Sequence, residues 1–494
     1  MRLTLLEIAF ALGCGTVLEN ADAWGGAACE ALAESGLLPE ALHHVCPTGA
    51  AIDSREVTPG CLFFCFRGER VDGHDFARDA AKNGALAIVA EHNPFVDALG
   101  NVEHGMPPVL VVPNVTVALQ RLAKSHRETS LAKVVGITGT AGKTSVKDVL
   151  VQVLASHAQT SCNRKNFNNG IGLPLSMLNA SAEATFWVME VGISQPHDMD
   201  ELGQLLEPDI ALVLNVGAGH TEGLGDKGVA HYKSRLFRYV EKGGTVLYNA
   251  DYPDLVAEVS AMEGFLQSKS IVAQAFSGTA GKAAYCARFV PEQPGQYALQ
   301  VDGKRVAVAA PFMGPYGAEN VAAIFAVATL LGLQPEAIVK GLSQATLPEQ
   351  RFTKRQVGPF TLVDDSYNAN PLSMSRMIEA ATLMAKNAAV PLVLVLGEMG
   401  ELGSVAPSAH EALGKAIAAS GACLVFWKGG YGENVRAGLK QGDFHGHFYP
   451  VLGGQDFFGL LEELELKHGV FLFKGSRMNR LERLVEVFTN QFGA

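Results

Sequence analysis

The segment Gly136-Ile-Thr-Gly-Thr-Ala-Gly-Lys-Thr144 carries the groups that bind a nucleoside triphosphate. Its glycines let backbone N–H groups approach phosphate oxygens, Lys143 can neutralise the β and γ phosphates, and the Thr144 hydroxyl can hold Mg²⁺. The preceding run from Ala132 reads as a strand and the following residues as a helix, whose N-terminus favours negative charge. The common P-loop spacing would put glycine at 137, where this chain has Ile, so the loop is a variant. Thr138, Gly139, Thr140, Ala141, Gly142, Lys143 and Thr144 are the expected ATP contacts. Such a loop indicates a nucleotide but not what is done with it.

Glu190 ends the apolar run TFWVMEVG, and His220 follows the run DIALVLNVG in Asn215-Val-Gly-Ala-Gly-His220. Both stand at the carboxyl ends of strands expected beside the P-loop strand, where ligands sit in open α/β sheets. Either could hold magnesium, directly or through water, and either could equally be structural. Lys233, in the helical-looking segment His231-Tyr-Lys-Ser-Arg-Leu-Phe237, would ordinarily be a solvated helix face. Cys61 and Cys65, with His43, His44 and Cys46 upstream, suggest zinc on paper. CLFFC alternates like a buried strand, however, and the cysteines are expected in the core.

These residues need a scaffold, and 494 residues are too many for one core. At roughly 100 to 200 residues per domain, three domains are expected. Residues 1–113 read as a small α/β domain with the runs CLFFCFRG, ALAIVAE and PVLVVP. Helical spacing at Val117, Leu119 and Leu122 opens a central domain, 114–350. Its runs VVGITG, TFWVMEVG, DIALVLNVG and GTVLYNA are continuously apolar, as buried parallel strands require, giving a doubly wound, mostly parallel sheet. Residues 351–494 repeat the pattern through TLVDDS, PLVLVLGEMG, ACLVFWKGG and VFLFKGS, a second, Rossmann-like α/β sheet. At the N-terminus, Thr4 and Glu7 fit a capping box opening a helix that stops near Gly13, rather than an export signal.

The chain is 48% apolar and 18% charged, and its 39 basic against 50 acidic residues argue against electrostatic binding to nucleic acid or an anionic membrane. No window reaches the roughly 20 apolar residues of a membrane span. Eight cysteines without framework spacing fit a reducing compartment, so a cytoplasmic protein is expected.

Together these residues resemble the Mur ligases, the family that builds the peptide of bacterial peptidoglycan. Thr138 to Thr144, Asn166-Phe-Asn-Asn-Gly-Ile-Gly-Leu-Pro174, Glu190, Asn215 with His220, Lys233, Asn320 and Arg351 follow the family's order. So does Asp53-Ser-Arg-Glu-Val-Thr-Pro-Gly60 with Phe66-Arg-Gly and Asp72-Gly-His, and the likeness spans essentially the whole chain. Asp364-Asp-Ser-Tyr-Asn-Ala-Asn-Pro371, Leu396-Gly-Glu-Met-Gly-Glu-Leu-Gly403 and Phe473-Lys-Gly-Ser-Arg477 look like the D-alanyl-D-alanine-adding member. The Asp-Asn-Pro-Arg signature of the member that adds a diamino acid is missing. Tyr316-Gly317 stand where many relatives have His-Asn, and Glu398 where they often have Asp.

The resemblance implies an ATP-dependent ligase that activates the carboxylate of UDP-N-acetylmuramoyl-tripeptide as an acyl phosphate and passes it to D-Ala-D-Ala. It implies two Mg²⁺ ions, one near Thr144 and Glu190 and one near His220, the second supported by Lys233 as a carbamate. Lys143, Glu190, His220 and Lys233 would be catalytic. Asn320 would meet adenine, and Arg351 and Asp365 the ribose or phosphates. Asn168, Asn169, Asn368, Lys474, Ser476 and Arg477 are implied substrate contacts, the last three suited to a carboxylate; a role in merely capping the last strand stands beside that one. Ser54, Arg55, Phe66 and Arg67 would hold the UDP-sugar. By the same resemblance the first domain takes the UDP-sugar and the third brings the amine substrate and closes over ATP, in a monomer. The rival readings are another Mur-type or folylpolyglutamate-synthetase-like ligase with a different acceptor, and a non-enzymatic nucleotide switch.

Overall fold

The computed structural model describes residues 1, 3–13, 40–96, 99, 103–164, 166–217, 224, 227–279, 283–293, 295–301, 303–464 and 466–493. They form two compact units, one of residues 1–135, 158–191 and 200–207, the other of 136–157, 192–199 and 208–494.

In the first unit, β1 (Ala50–Ala51), β2 (Leu62–Phe64), β3 (Ala87–Ala90) and β4 (Val109–Val111) make a parallel sheet in that order. All three β2 residues are buried, so CLFFC does not alternate between core and solvent; both its faces are covered. Cys61 and Cys65 are buried at its ends, and burial pushes their thiols up, that of Cys65 to about 12. The helix Leu5–Ala11 starts on the expected capping box: the Glu7 N–H donates to Thr4 Oγ1, and Glu7 Oε2 accepts from the Thr4 N–H at 2.7 Å. It stops before Gly13, whose φ of 71° no ordinary side chain adopts cheaply. The helix Val115–Thr129 covers the segment whose spacing announced it. Here too β6 (Thr160–Cys162) pairs in parallel with β7 (Phe186–Glu190), and β5 (Lys133–Thr138) begins here and ends in the second unit.

The second unit holds two sheets. In the first, β8 (Ile210–Val213), β9 (Thr245–Asn249), β10 (Val272–Ser277) and β11 (Tyr285–Phe289) are parallel neighbours. β12 (Gln296–Val301) and β13 (Lys304–Ala309) extend that edge as an antiparallel ribbon, an addition to the strand-helix repeat the sequence suggested. The end of β5 joins the row at β8, where the Leu214 N–H donates to the Thr138 carbonyl at 2.9 Å.

The other sheet runs β14 (Thr353–Val357), β15 (Phe360–Asp364), β19 (Gly469–Lys474), β16 (Leu392–Gly397), β17 (Leu424–Lys428), β18 (His447–Pro450), with only β14 antiparallel. Its strands read as unbroken apolar runs because both faces are covered. Leu394, Leu396, Trp427 and Leu472 join the core on one face with Met374, Ile378 and Ile417, from the helices Pro371–Ala388 and Ala406–Ser420. Phe360, Val393, Phe471 and Phe473 point the other way, to Phe488 on the helix Glu482–Phe492. Because β15, β19 and β16 are parallel neighbours, their carboxyl ends lie together at one end of the sheet, where chemistry can be assembled.

Candidate active site

The P-loop joins the end of β5 at Thr138 to a helix, Lys143–Ala155. Gly142 occupies the N-cap position at φ 83°, and no side chain caps this helix, the arrangement an anion can complete. A Cβ on Gly142 would lie 3.1 Å from Leu214 Cδ2 and 3.3 Å from Asn320 Oδ1, so a side chain there would be crowded as well as held at a left-handed φ. Asn215 pins the loop from below: its Oδ1 accepts from the Thr140 and Ala141 N–H groups at 3.1 and 2.9 Å, and its Nδ2 donates to the Ala141 carbonyl at 2.9 Å. Lys143 Nζ donates to the Gly139 carbonyl at 2.9 Å, which keeps the ammonium over the loop. Preorganised backbone, a helix terminus and a lysine are the parts from which a phosphate cradle can be built.

The second sheet of the same unit supplies a charged cluster. β15 and β19 are parallel neighbours, with Asp364 opposite Phe473, so the residues that follow each strand emerge side by side. Asp365 accepts from the Lys474 ammonium at 2.5 Å and from the Phe352 N–H at 3.0 Å, and Lys474 also donates to the Asn368 carbonyl at 3.0 Å. Burial lowers the Lys474 pKa, and the Asp365 carboxylate opposes that shift. Arg351 lies 4.1 Å over the Tyr367 ring and donates to Thr144 Oγ1 at 3.4 Å; Arg477 takes a position 5.9 Å from the same ring. Asn370 Nδ2 donates to the Thr140 carbonyl at 3.1 Å. Arg351 and Asn370 thus link the segment that carries Asp365, Asn368 and Lys474 to the loop.

Other expected residues are placed differently. Ser476 Oγ accepts from Asn479 Nδ2 at 2.7 Å and Arg477 pairs with Glu482 at 3.3 Å, bonds that shape the turn after β19. Asn320 is 1% exposed, and among the described residues its Oδ1 has no hydrogen-bond partner. Lys233 lies in the helix Gly228–Ser234 at 1% exposure, which overturns the solvated-face reading of an isolated lysine. His220 falls outside the described residues.

In the first unit, Glu190 ends β7 and is buried; its Oε1 accepts from Asn168 Nδ2 at 2.8 Å, and Asn163 bonds its backbone on both sides. Asn169 Oδ1 accepts from the Gly172 N–H at 2.9 Å and so shapes the turn into the next helix. Near β2, Ser54 is buried, Arg55 is exposed and paired with Asp53 at 2.6 Å, Phe66 is half-buried, and Arg67 pairs with Asp72 at 3.2 Å. The Asp72 carboxyl is held below its usual range, chiefly by the His74 backbone N–H.

Gly317 and Glu398, two of the positions that depart from the family pattern, sit in tight local contacts. A Cβ at Gly317 would lie 2.0 Å from the Tyr297 hydroxyl, which packs over the glycine from the antiparallel ribbon. Glu398, one methylene longer than Asp, reaches the Gly430 N–H at 2.6 Å. Sequence reasoning missed a buried polar group beneath the loop, Glu319 with Asn249, Tyr252 and Arg376. One signal was available: Glu319 is the sole charged residue of the helix Tyr316–Leu330, otherwise almost entirely buried.

A glycine loop between strand and helix, ending in lysine and threonine at the edge of a parallel sheet, defines an α/β protein of the P-loop class. Three family models match the chain in succession: the Mur ligase family catalytic domain at residues 48–127, the Mur ligase middle domain at 137–328 and the Mur ligase glutamate ligase domain at 350–449. The UDP-N-acetylmuramoyl-tripeptide–D-alanyl-D-alanine ligase of Escherichia coli K12 is 30% identical over 446 residues, 88% of this chain and 92% of that one. A crystal structure of MurF from Acinetobacter baumannii superposes with a TM-score of 0.77 at 27% identity, covering 89% of this chain and 93% of that one. The MurF ligase of Thermotoga maritima in complex with ADP gives 0.73 at 26% identity, covering 90% and 97%. The chain belongs to the Mur ligase family.

Proposed function

We infer that this chain is an ATP-dependent ligase that joins D-alanyl-D-alanine to UDP-N-acetylmuramoyl-tripeptide, forming ADP and phosphate, in peptidoglycan precursor synthesis. The observation that carries the reading is the meeting, in one unit, of the P-loop with the Arg351, Asp365 and Lys474 cluster, in a chain whose full-length relatives carry that activity in their names.

The tripeptide carboxylate is a poor electrophile. Its oxygen attacks the γ phosphorus of ATP, ADP leaves, and an acyl phosphate forms. The amine of D-Ala-D-Ala then adds to the acyl carbon, the tetrahedral oxyanion collapses, phosphate leaves with the C–O bonding pair, and the amine loses a proton. Lys143 and the loop N–H groups hold the phosphates, and Arg351 adds charge where negative charge accumulates. Bound Mg²⁺ supplies charge neutralisation between the two anions. Thr144, Glu190, His220 and Lys233, the last as a carbamate, are the proposed residues for two ions. The buried Glu190 carboxylate, oriented by Asn168, and the Thr144 hydroxyl at the helix start are donors of the hard-oxygen kind magnesium takes.

Thr138 to Thr144, Asn320, Arg351 and Asp365 are proposed for the nucleotide. Asn168, Asn169, Asn368, Lys474, Ser476 and Arg477 are proposed for the peptide substrates, and Ser54, Arg55, Phe66 and Arg67 for the UDP-sugar. The division at 113/114 and 350/351 is proposed as three working domains, supported by the order of the family-model matches. Among the described residues no helix is long and apolar enough to cross a membrane, and a cytoplasmic place of action is proposed with the substrates.

Phosphate release with ATP, UDP-N-acetylmuramoyl-tripeptide and D-Ala-D-Ala, run against glutamate with its cognate carboxylate, tests the reading. Release that depends on D-Ala-D-Ala is expected; no response to it would sink the assignment. Tight ATP binding without turnover on any amine would favour a nucleotide switch.

A further inference from the structure

The helix Pro371–Ala388 engages the P-loop region twice. Its N-cap residue Asn370, locked by reciprocal bonds with Ser373, donates to the Thr140 carbonyl. Less than two turns further on, Arg376 NH1 meets Glu319 Oε1 at 2.7 Å and Arg376 NH2 donates to the Tyr252 hydroxyl at 2.6 Å. The two side chains are 12% and 6% exposed, so this is a buried ion pair.

Glu319 is saturated with donors. Besides Arg376, Oε1 accepts from Asn215 Nδ2 at 2.8 Å, and Oε2 accepts from Asn249 Nδ2 at 3.1 Å and the Tyr252 hydroxyl at 3.3 Å. Burial raises the Glu319 carboxyl, with Arg376 foremost among the groups opposing that shift; at Arg376 burial is the largest single influence and lowers the guanidinium, but Glu319 and Tyr252 together leave it raised. A carboxylate accepts and cannot donate, so it compels Asn215 to turn its NH₂ downward and its oxygen up. That oxygen takes the Thr140 and Ala141 N–H groups. Reversing the amide would set its oxygen against Glu319 and its NH₂ against two loop donors. The phosphate steps proposed above involve neither Glu319 nor Arg376 directly.

We propose that Arg376 and Glu319 are positioning residues for the nucleotide: their ion pair fixes the orientation of Asn215, and Asn215 fixes the P-loop backbone at Thr140 and Ala141 in its phosphate-accepting form. The inference rests on the ligase reading only for the identity of the nucleotide. It ties nucleotide affinity to a helix of the second sheet, 57 residues further along the chain than the glutamate it reaches.

ADP affinity of the full chain, measured by calorimetry with Mg²⁺ and no other substrate, tests it. Arg376→Met and Glu319→Gln should each weaken ADP about tenfold or more. The KM for ATP should rise in parallel while the KM for the amine stays unchanged. Arg376→Lys should recover most of the affinity, and the double variant Arg376→Met/Glu319→Gln should be little weaker than either single one, since both act through one path. Tyr252→Phe, which keeps the pair and removes one bond to each partner, should give a smaller loss and serves if the first two do not fold. Folded variants with the parent's ADP affinity, Tyr252→Phe included, overturn the proposal, as does a loss confined to kcat. Failure of the ligase reading would look different: ADP bound by the parent, with no phosphate released in the presence of D-Ala-D-Ala.

Discussion

Lys474 and Asp365, 109 residues apart, meet at 2.5 Å because β15 and β19 end side by side. The lysine is 2% exposed and the aspartate 8%, so neither charge can be relieved by water if the other is removed. Lys474→Met should destabilise the fold by about 3–5 kcal/mol, the range for stripping one partner from a buried pair. Lys474→Met/Asp365→Asn should cost less than Lys474→Met alone. Urea denaturation of the parent and the two variants checks this; a double variant less stable than Lys474→Met would contradict the pairing argument.

Adding even a methyl group at Gly317 should also be harmful. With its Cβ 2.0 Å from the Tyr297 hydroxyl and 2.7 Å from Phe312 Cβ, Gly317→Ala must displace a buried ring, at about 1–3 kcal/mol. Tyr297→Leu in the same chain should recover part of that loss, because it clears the nearest atoms. Thermal melts of the single and double variants read the coupling, and strictly additive losses would place the strain elsewhere.

These two sites mark what the sequence could convey. The strands that end at Glu190, at Asp364 just before Asp365, and at Lys474 were legible because they are buried on both faces and so continuously apolar, and the helix Val115–Thr129 because only one of its faces is. The capping box at Thr4 was legible because it is local, completed within four residues. Glu319 announced only that it needed a partner. Arg376 could not be singled out, since pairing across 57 residues is decided by how the helix Pro371–Ala388 docks and not by spacing. The same limit applies to Lys233, whose burial in a short helix its own neighbours did not signal, and to the Tyr297–Gly317 contact, which depends on an antiparallel ribbon folded against the next helix.

His410 gives the fold a pH dependence with a definite sign. Its Nε2 accepts from the Met399 N–H at 3.0 Å and its Nδ1 faces the Ala406 carbonyl at 2.7 Å, while its ring stacks on Tyr431 and meets the edge of Trp427. Burial lowers its pKa below the ordinary 6.5, against a raising influence from the Ala406 carbonyl and from Glu398. The unfolded chain therefore binds the proton first as pH falls. This contribution to stability is fully present above pH 6.5 and is lost progressively below it. The stability difference between the parent and His410→Leu should accordingly be larger at pH 7.5 than at pH 5.5. A difference that grows on acidification would show that the folded state prefers the charged imidazole.

Lys233 poses the sharpest question about the chemistry. A lysine 1% exposed in a seven-residue helix is far from the solvated role that its sequence context suggests. As a carbamate, formed when its neutral amine adds to CO₂ with loss of a proton, it would present a carboxylate-like group suited to a magnesium centre. Lys233→Ala should then lower ligation by roughly 100-fold, the upper range for groups that support a metal's ligands. Acetate or formate, added at increasing concentration, should restore much of the rate by occupying the space of the missing carboxylate. Lys233→Glu, which carries a carboxylate on a shorter stem, should not need the additive as strongly. Full activity of the unrescued Lys233→Ala variant would exclude the carbamate. A folded, inactive variant that no carboxylate rescues would assign the lysine to packing instead.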